Sequence, residues 1–172
     1  MISTNYRIEA LDILLDRECL PERYYPLIEY KHELVSGLLK SGCKRKNDIQ
    51  NLSDEQLIDL GLNDGRLINL FRRFLGIYDP NPQKFKEIDK VAVNDDEKAS
   101  YSELYCLPGV KAIRASLYYL SGYRSLNDFT SSTVDEVIGK TGLAIKKNKL
   151  SCIVPLPKEI RTHIAVSKAF LL

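Results

Sequence analysis

The residues best suited to chemistry lie in the stretch 105–115, which reads YCLPGVKAIRA. A Leu-Pro-Gly-Val turn opens here directly into a predicted helix over 110–120. On that helix Lys111, Arg114 and Tyr118 are spaced i, i+3 and i+7, which places two cations and an aromatic ring on one strip. Such a strip suits phosphate groups, with the ring packed on a sugar or base. An ordinary helix start with solvated charges explains the same residues, and both interpretations stay open.

The turn is positioned by a helix whose apolar residues predict which face is buried. Val110, Ile113, Leu117 and Leu120 follow helical spacing and predict one apolar stripe, beside the strip of Lys111, Arg114 and Tyr118.

Two other predicted helices carry basic strips. Arg66 and Arg73, seven residues apart, share one face of the helix predicted over 65–77. The helix predicted over 156–170 carries Lys158, Arg161 and Lys168. These strips are candidates for further phosphate contacts. Solvated faces, with charges paired to nearby acids, are the alternative.

Charge is unevenly distributed, although the net charge is only +2. Residues 31–86 carry a net +3 and residues 136–172 a net +5, whereas residues 87–104 carry −4. Because salt screens charges beyond about 8–10 Å, a local basic patch can act despite the small total.

Nothing in the sequence predicts catalysis, a cofactor or a metal. The chain has no Gly-rich phosphate loop ending in Gly-Lys-Ser/Thr, no Gly-x-Ser-x-Gly and no His-Glu-x-x-His. The four cysteines are widely spaced, without the close pairs typical of zinc ligands, and predict buried or half-buried thiols in a reducing cytoplasm. The first residues, MISTNYRIEALD, lack the pattern of a signal segment, and no apolar run is long enough to span a membrane.

An internal repeat organises the chain. Residues 41–58, SGCKRKNDIQNLSDEQLI, align without a gap on residues 121–138, SGYRSLNDFTSSTVDEVI, and one added residue brings Gly61-Leu62 onto Gly142-Leu143. The repeated unit reads as helix, glycine turn, short helix, capped helix, glycine turn, helix. No segment alternates like a set of strands, so the sequence predicts an all-α fold of two related units.

Three regions follow from this organisation. We expect an N-terminal helix over 6–18 plus the first unit in 1–86, an acidic linker and helix in 87–104, and the second unit in 105–172. In the first unit a helix is predicted over 27–42. Residues 144–155 have no counterpart in the first unit, and no structure is predicted for them.

Both units resemble known helical families. Residues 107–137, LPGVKAIRASLYYLSGYRSLNDFTSSTVDEV, resemble helix-hairpin-helix modules, and 113–129 are similar to the C-terminal domain of the bacterial RNA polymerase alpha subunit. Residues 52–74, LSDEQLIDLGLNDGRLINLFRRF, are similar to the last helices of a SAM domain. These families share one compact helical architecture.

The resemblances imply two kinds of partner. In helix-hairpin-helix proteins a hairpin presents backbone N–H groups to a phosphate at the positive end of a helix dipole, and Gly109, Val110 and Lys111 occupy that position. The usual second glycine is replaced by Lys111. The polymerase domain uses the arginine matching Arg114 to contact DNA. SAM domains mostly bind other proteins, often other SAM domains. We therefore expect a noncatalytic DNA-binding protein or, alternatively, a protein-interaction or self-association module.

Overall fold

The computed structural model describes residues 4–172, and all its regular elements are helices. Within this range the only β-type pairing is one isolated antiparallel bridge between Arg7 and Arg45, with no strand. The predicted all-α class is confirmed. No helix in residues 4–172 combines the length and apolar character needed to cross a membrane. The first three residues of the segment tested for a signal pattern lie outside the described range.

In chain order the α-helices are α1 Leu11–Leu14, α2 Lys31–Lys40, α3 Lys46–Ile49, α4 Asp54–Asp59, α5 Gly65–Gly76, α6 Pro82–Lys86, α7 Ile88–Val91, α8 Asp95–Leu104, α9 Ala112–Leu120, α10 Leu126–Thr130, α11 Val134–Asn148 and α12 Pro157–Phe170. A 3₁₀ helix, Ile8–Ala10, precedes α1, and another, Glu22–Tyr30, precedes α2.

Two predicted helices are shorter as α-helices than their patterns suggested. The backbone N–H of Ile8 donates to the carbonyl of Lys44, and that of Lys46 donates to Tyr6, so the start of the predicted helix 6–18 pairs with another segment instead. The predicted helix 27–42 begins in the 3₁₀ segment that contains Pro26. Proline lacks the N–H that α-helical bonding requires, and α geometry is established only from Lys31 onwards.

The two segments aligned by sequence share hydrogen bonds at a constant offset of 80 residues. Each first helix ends at a glycine in the left-handed region, Gly42 with φ 85° and Gly122 with φ 93°. The carboxylate of Asp48 accepts from two successive backbone N–H groups, and Asp128 does the same. Capping boxes follow at Ser53 with Gln56 and at Thr133 with Glu136. The aligned residues therefore adopt the same local structure.

The second half of the repeat departs from the prediction. Gly61, with φ 106°, follows the end of α4 as expected, but Gly142 lies inside α11. That helix continues to Asn148 and ends at Lys149, which has φ 51°, while the N–H of Leu150 donates to Ile145. The glycine turn predicted at Gly142 is wrong. A glycine in the interior of a helix costs only about 1 kcal/mol. The neighbouring Thr141 and Ala144 are buried, and their burial stabilises the continuous helix.

One hydrophobic core extends through both units. It includes side chains from Tyr6 near the start to Ala169 in the last helix. Helix α12 packs against α10 and also against α1, and the rings of Tyr6 and Phe170 stack with their centroids 5.9 Å apart. The last helix therefore buries side chains from the N-terminal region as well as from its own unit.

The cysteines lie where the sequence predicted. Cys19 and Cys43 are buried, Cys106 and Cys152 are partly exposed, and all four are free thiols. Burial raises the pKa of Cys19 to about 11, so this thiol stays protonated near neutral pH.

Candidate nucleic-acid interface

The Leu-Pro-Gly-Val turn is a closed turn with an exposed glycine at its tip. The N–H of Val110 donates to the carbonyl of Leu107 at 3.3 Å. Gly109 is exposed and has φ 74°, a backbone conformation that glycine adopts without a Cβ penalty. Val110 is fully buried and anchors the turn to the core. The turn therefore holds its exposed tip in a fixed position.

Helix α9 starts beside this tip with an uncapped first turn. Lys111 is its N-cap residue and is exposed, but a lysine side chain has no acceptor for the N–H groups of the first turn. No acidic residue lies in that turn either. Free N–H groups at the positive end of the helix dipole, beside a lysine, favour an anion.

Two cavities adjoin the turn, and basic side chains from other parts of the chain line them together with Gly109. One, of about 450 Å³, is lined by Gly109 together with Arg23 and Lys158. The other, of about 260 Å³, is lined by Gly109 and Lys84. The Nζ atom of Lys84 donates to the carbonyl of Leu107 at 3.3 Å, which ties this cation to the turn itself.

Lys84 is half-buried, and the loss of solvation lowers its pKa below the ordinary lysine value, with Lys111 a smaller cause in the same direction. Sequence patterns gave no indication of Lys84 or Arg23, which join the turn only through long-range packing.

The two acidic side chains that line these cavities are both neutralised. Asp79 forms an ion pair with Lys46, which is only 2% exposed. Glu159 forms an ion pair with Arg114, with Nε of the arginine 2.8 Å from Oε1. The cations that remain around Gly109 therefore give the surface a positive character.

Arg114 has a structural position. Its side chain is 19% exposed, and besides Glu159 it donates to the carbonyl of Ile153 at 3.1 Å. It links α9 to the residues before α12 and to the first turn of α12. The predicted free phosphate contact at Arg114 does not fit this arrangement, because its charge is balanced and its donors are engaged.

Tyr118 is a correction to the predicted strip. The residue is completely buried, and its ring lies 4.9 Å from that of Phe129 and 5.6 Å from that of His163. It cannot pack on a sugar or base, because α9 is covered by α8, α11 and α12 and buries more than one face.

The predicted apolar stripe of α9 is wrong in part for the same reason. Val110 and Leu117 are fully buried, but Ile113 is 72% exposed and Leu120 is 44% exposed. Ala115 and Tyr118 are buried instead.

His163 joins the turn to Tyr118. Its Nδ1 lies 2.7 Å from the hydroxyl of Tyr118, and its Nε2 lies 2.8 Å from the carbonyl of Pro108. Because a carbonyl only accepts, Nε2 carries the proton of the neutral ring and Nδ1 accepts from the tyrosine. Burial lowers the pKa of His163 below its usual value and favours this neutral form. No motif around His163 in the sequence indicates this position.

The remaining predicted contacts are not gathered around the turn. Arg66 and Arg73 are exposed on α5 and line neither cavity beside Gly109. Between them, Arg72 pairs with Asp54, at 2.7 Å between Nη2 and Oδ1.

The three cations of α12 line two different cavities. Lys158 faces the turn, whereas Arg161 and Lys168 line a different cavity that also contains three acidic residues, Asp12, Asp16 and Glu18. Arg161 pairs with Glu18 at 2.6 Å. Of the three cations on this helix, only Lys158 adds to the positive surface at Gly109.

No group of three or more His, Cys, Asp or Glu side chains in residues 4–172 is arranged to hold a metal ion. No protein-family model, curated protein or solved structure matches the chain.

Proposed function

We propose that this chain is a noncatalytic DNA-binding protein whose contact surface is the turn at residues 107–111 and the cations around it. The observation that carries this proposal is the exposed, left-handed Gly109 beside an uncapped helix, with unpaired cations in both flanking cavities. In this surface a DNA phosphate binds at the start of α9, beside Lys111. Lys158, Arg23 and Lys84 surround it and attract neighbouring phosphates.

The same surface predicts weak sequence preference. Phosphate contacts fix the position of a protein on DNA, whereas base-edge contacts read the sequence. Tyr118, the aromatic residue expected to reach a base, is in the core. We therefore propose recognition of the sugar-phosphate backbone, in which affinity depends on salt far more than on sequence.

We also propose that the two units descend from one helical module of the helix-hairpin-helix and SAM-like type. The shared hydrogen bonds at an offset of 80 residues support this proposal. In the first unit the residues that correspond to the start of α9 contain no Pro-Gly turn. The turn that holds the phosphate is accordingly assigned to the second unit, while Arg23 and Lys84 of the first region add positive charge around it.

Charge reversal at the turn tests this function. Fluorescence anisotropy with a labelled DNA duplex should show the double variant Lys111→Glu/Lys158→Glu binding roughly ten- to a hundredfold more weakly at low salt. The matched control is Lys40→Glu/Lys44→Glu, which makes the same charge change at exposed positions of the first unit. Equal losses of DNA affinity in both double variants would show that only net charge matters and would contradict the proposed site.

A protein-interaction or self-association role is the second candidate. It is favoured by Ile113 and Ile153, which are apolar and more than 70% exposed. A chain that does not bind DNA at low salt, but that forms oligomers as its concentration rises, would support this alternative.

A further inference from the structure

A groove on the second unit adjoins the proposed DNA surface at the first turn of α9, where Ala112 and Ile113 line it. It has a volume of about 350 Å³ and runs between the end of α7, the first turns of α9 and the segment after α11. Its lining consists of Val91, Tyr101, Ala112, Ile113, Ser116, Leu150, Ser151 and Cys152. Charged side chains are absent from this lining, so the groove is suited to apolar contact.

The apolar side chains at this groove are unusually exposed. Ile113 in its lining is 72% exposed; Ile153, next to the lining residue Cys152, is 74% exposed, and Val93, two residues after the lining residue Val91, is 82% exposed. These are the three most exposed large hydrophobic side chains among residues 4–172. Scattered exposed apolar residues are ordinary, but a concentration around one groove is typical of an interaction surface.

The groove has one acidic and one basic edge. Two residues after Val93, helix α8 begins with Asp95, Asp96 and Glu97, and the carboxylate of Glu97 accepts from the N–H of Val93 at 2.9 Å. Directly before Leu150, helix α11 ends with Lys146 and Lys147, followed by Lys149. We call these the acidic edge and the basic edge. Lys98 is paired with Asp89, which leaves the three carboxylates of this edge against only the exposed Lys90 beside Val91, so the edge stays negative.

We propose that this groove is a self-association surface, occupied by the same groove of a second copy of the chain. A twofold axis running along the groove places the acidic edge of each copy against the basic edge of the other, and it buries both sets of apolar side chains between them. A partner of one charge sign would be attracted by one edge and repelled by the other. Only a partner with the opposite order of charges satisfies both edges, and a rotated copy has that order.

The apolar contact is tested first. Sedimentation velocity over a concentration series should show the wild-type chain passing from monomer to dimer. Ile113→Asp should remain a monomer at concentrations where the wild type is dimeric, because it places a charge in the centre of the interface. Since Ile113 is largely exposed in the single chain, the substitution should leave the thermal unfolding temperature unchanged. The matched control, Ile58→Asp, alters another exposed isoleucine on α4 and should still dimerise.

The charge pattern is tested by exchanging the edges. Lys146→Glu/Lys147→Glu gives a chain with two acidic edges, and Asp95→Lys/Asp96→Lys gives one with two basic edges. Each should be monomeric alone, because like charges then face each other, and an equimolar mixture should form a heterodimer. Circular dichroism establishes whether both edge variants fold. If either does not, the comparison of Ile113→Asp with the wild type tests the dimer.

Three results would overturn the proposal: a wild-type chain that stays monomeric throughout the series, an Ile113→Asp variant that dimerises like the wild type, or folded edge variants that do not associate when mixed. DNA affinity is measured on the uncharged variant Ile113→Gln, because an aspartate in the first turn of α9 would itself repel a phosphate there. Failure of the dimer and failure of DNA binding are therefore distinguishable.

Discussion

The hydroxyl of Tyr118 in α9 lies 2.7 Å from Nδ1 of His163 in α12, and both side chains are completely buried. The other ring nitrogen of His163 bonds to Pro108 in the turn. One histidine thus connects two helices and the residue before Gly109. Because the turn is held by this connection, its exposed tip has a defined position before any ligand arrives.

Removing the hydroxyl of Tyr118 should destabilise the fold. Tyr118→Phe leaves Nδ1 of His163 buried without a donor, and we expect a loss of about 1–3 kcal/mol in the free energy of unfolding. Tyr123→Phe is a matched control, since Tyr123 is 2% exposed and its hydroxyl has no partner among the described residues. That substitution should change the free energy by less than about 0.5 kcal/mol. Urea unfolding of both variants makes the comparison, and equal losses would contradict the assigned bond.

Stability should fall at mildly acidic pH because of His163. Its pKa in the unfolded chain is near 6.5, and in the folded chain it is lower, because burial opposes the charged form. Between these two values the unfolded chain binds more protons. Acidification through about pH 6.5 therefore favours unfolding. The hydrogen bond to the carbonyl of Pro108 and the charge of Glu159 raise the pKa of the ring, whereas Arg114 and Lys84 lower it.

Unfolding measured between pH 8 and pH 5 checks this expectation. His163→Gln should have a lower free energy of unfolding than the wild type at every pH. Its free energy of unfolding should not show the fall that begins near pH 6.5 in the wild type. His32→Gln removes the other histidine, whose side chain is 91% exposed, and should keep the wild-type profile. A His163→Gln profile parallel to that of the wild type would rule out this histidine as the cause.

Two glycines aligned by sequence should respond oppositely to alanine. Gly142 is inside α11 with open space around an added Cβ, so Gly142→Ala should stabilise the fold by about 0.5–1 kcal/mol. Gly61 has φ 106°, and an added Cβ would lie 2.9 Å from Oε2 of Glu33. Gly61→Ala should destabilise the fold by about 1–2 kcal/mol. Thermal unfolding distinguishes a continuous α11 from a turn at Gly142, since a turn would make both substitutions destabilising.

Local patterns predicted the elements whose signals are complete within a few residues. The last helix, expected over 156–170, is Pro157–Phe170, with its proline in the first turn. The capping residues Ser53 and Thr133 are also where the sequence placed them. These features depend on neighbouring residues alone, so one sequence is enough to identify them.

Tertiary packing determines the features that local patterns did not predict. A stripe of apolar residues predicts one buried face, but α9 packs against several helices, and this reversed the expected burial of Ile113 and Tyr118. Arg23 and Lys84 are remote in sequence from Gly109, and only the fold brings them to its flanking cavities. The expected role of Arg114 changed because Glu159, 45 residues later, meets it in space.

The salt dependence of DNA affinity tests the central claim most directly. For the wild-type chain, the logarithm of the association constant should fall linearly with the logarithm of salt concentration, with a slope of about −0.9 for each phosphate contacted. Lys111→Glu/Lys158→Glu should make that slope shallower by about 2, while Lys40→Glu/Lys44→Glu leaves it unchanged. A wild-type chain without measurable affinity at low salt, or a slope that the turn variant does not alter, would contradict the proposed interface at Gly109.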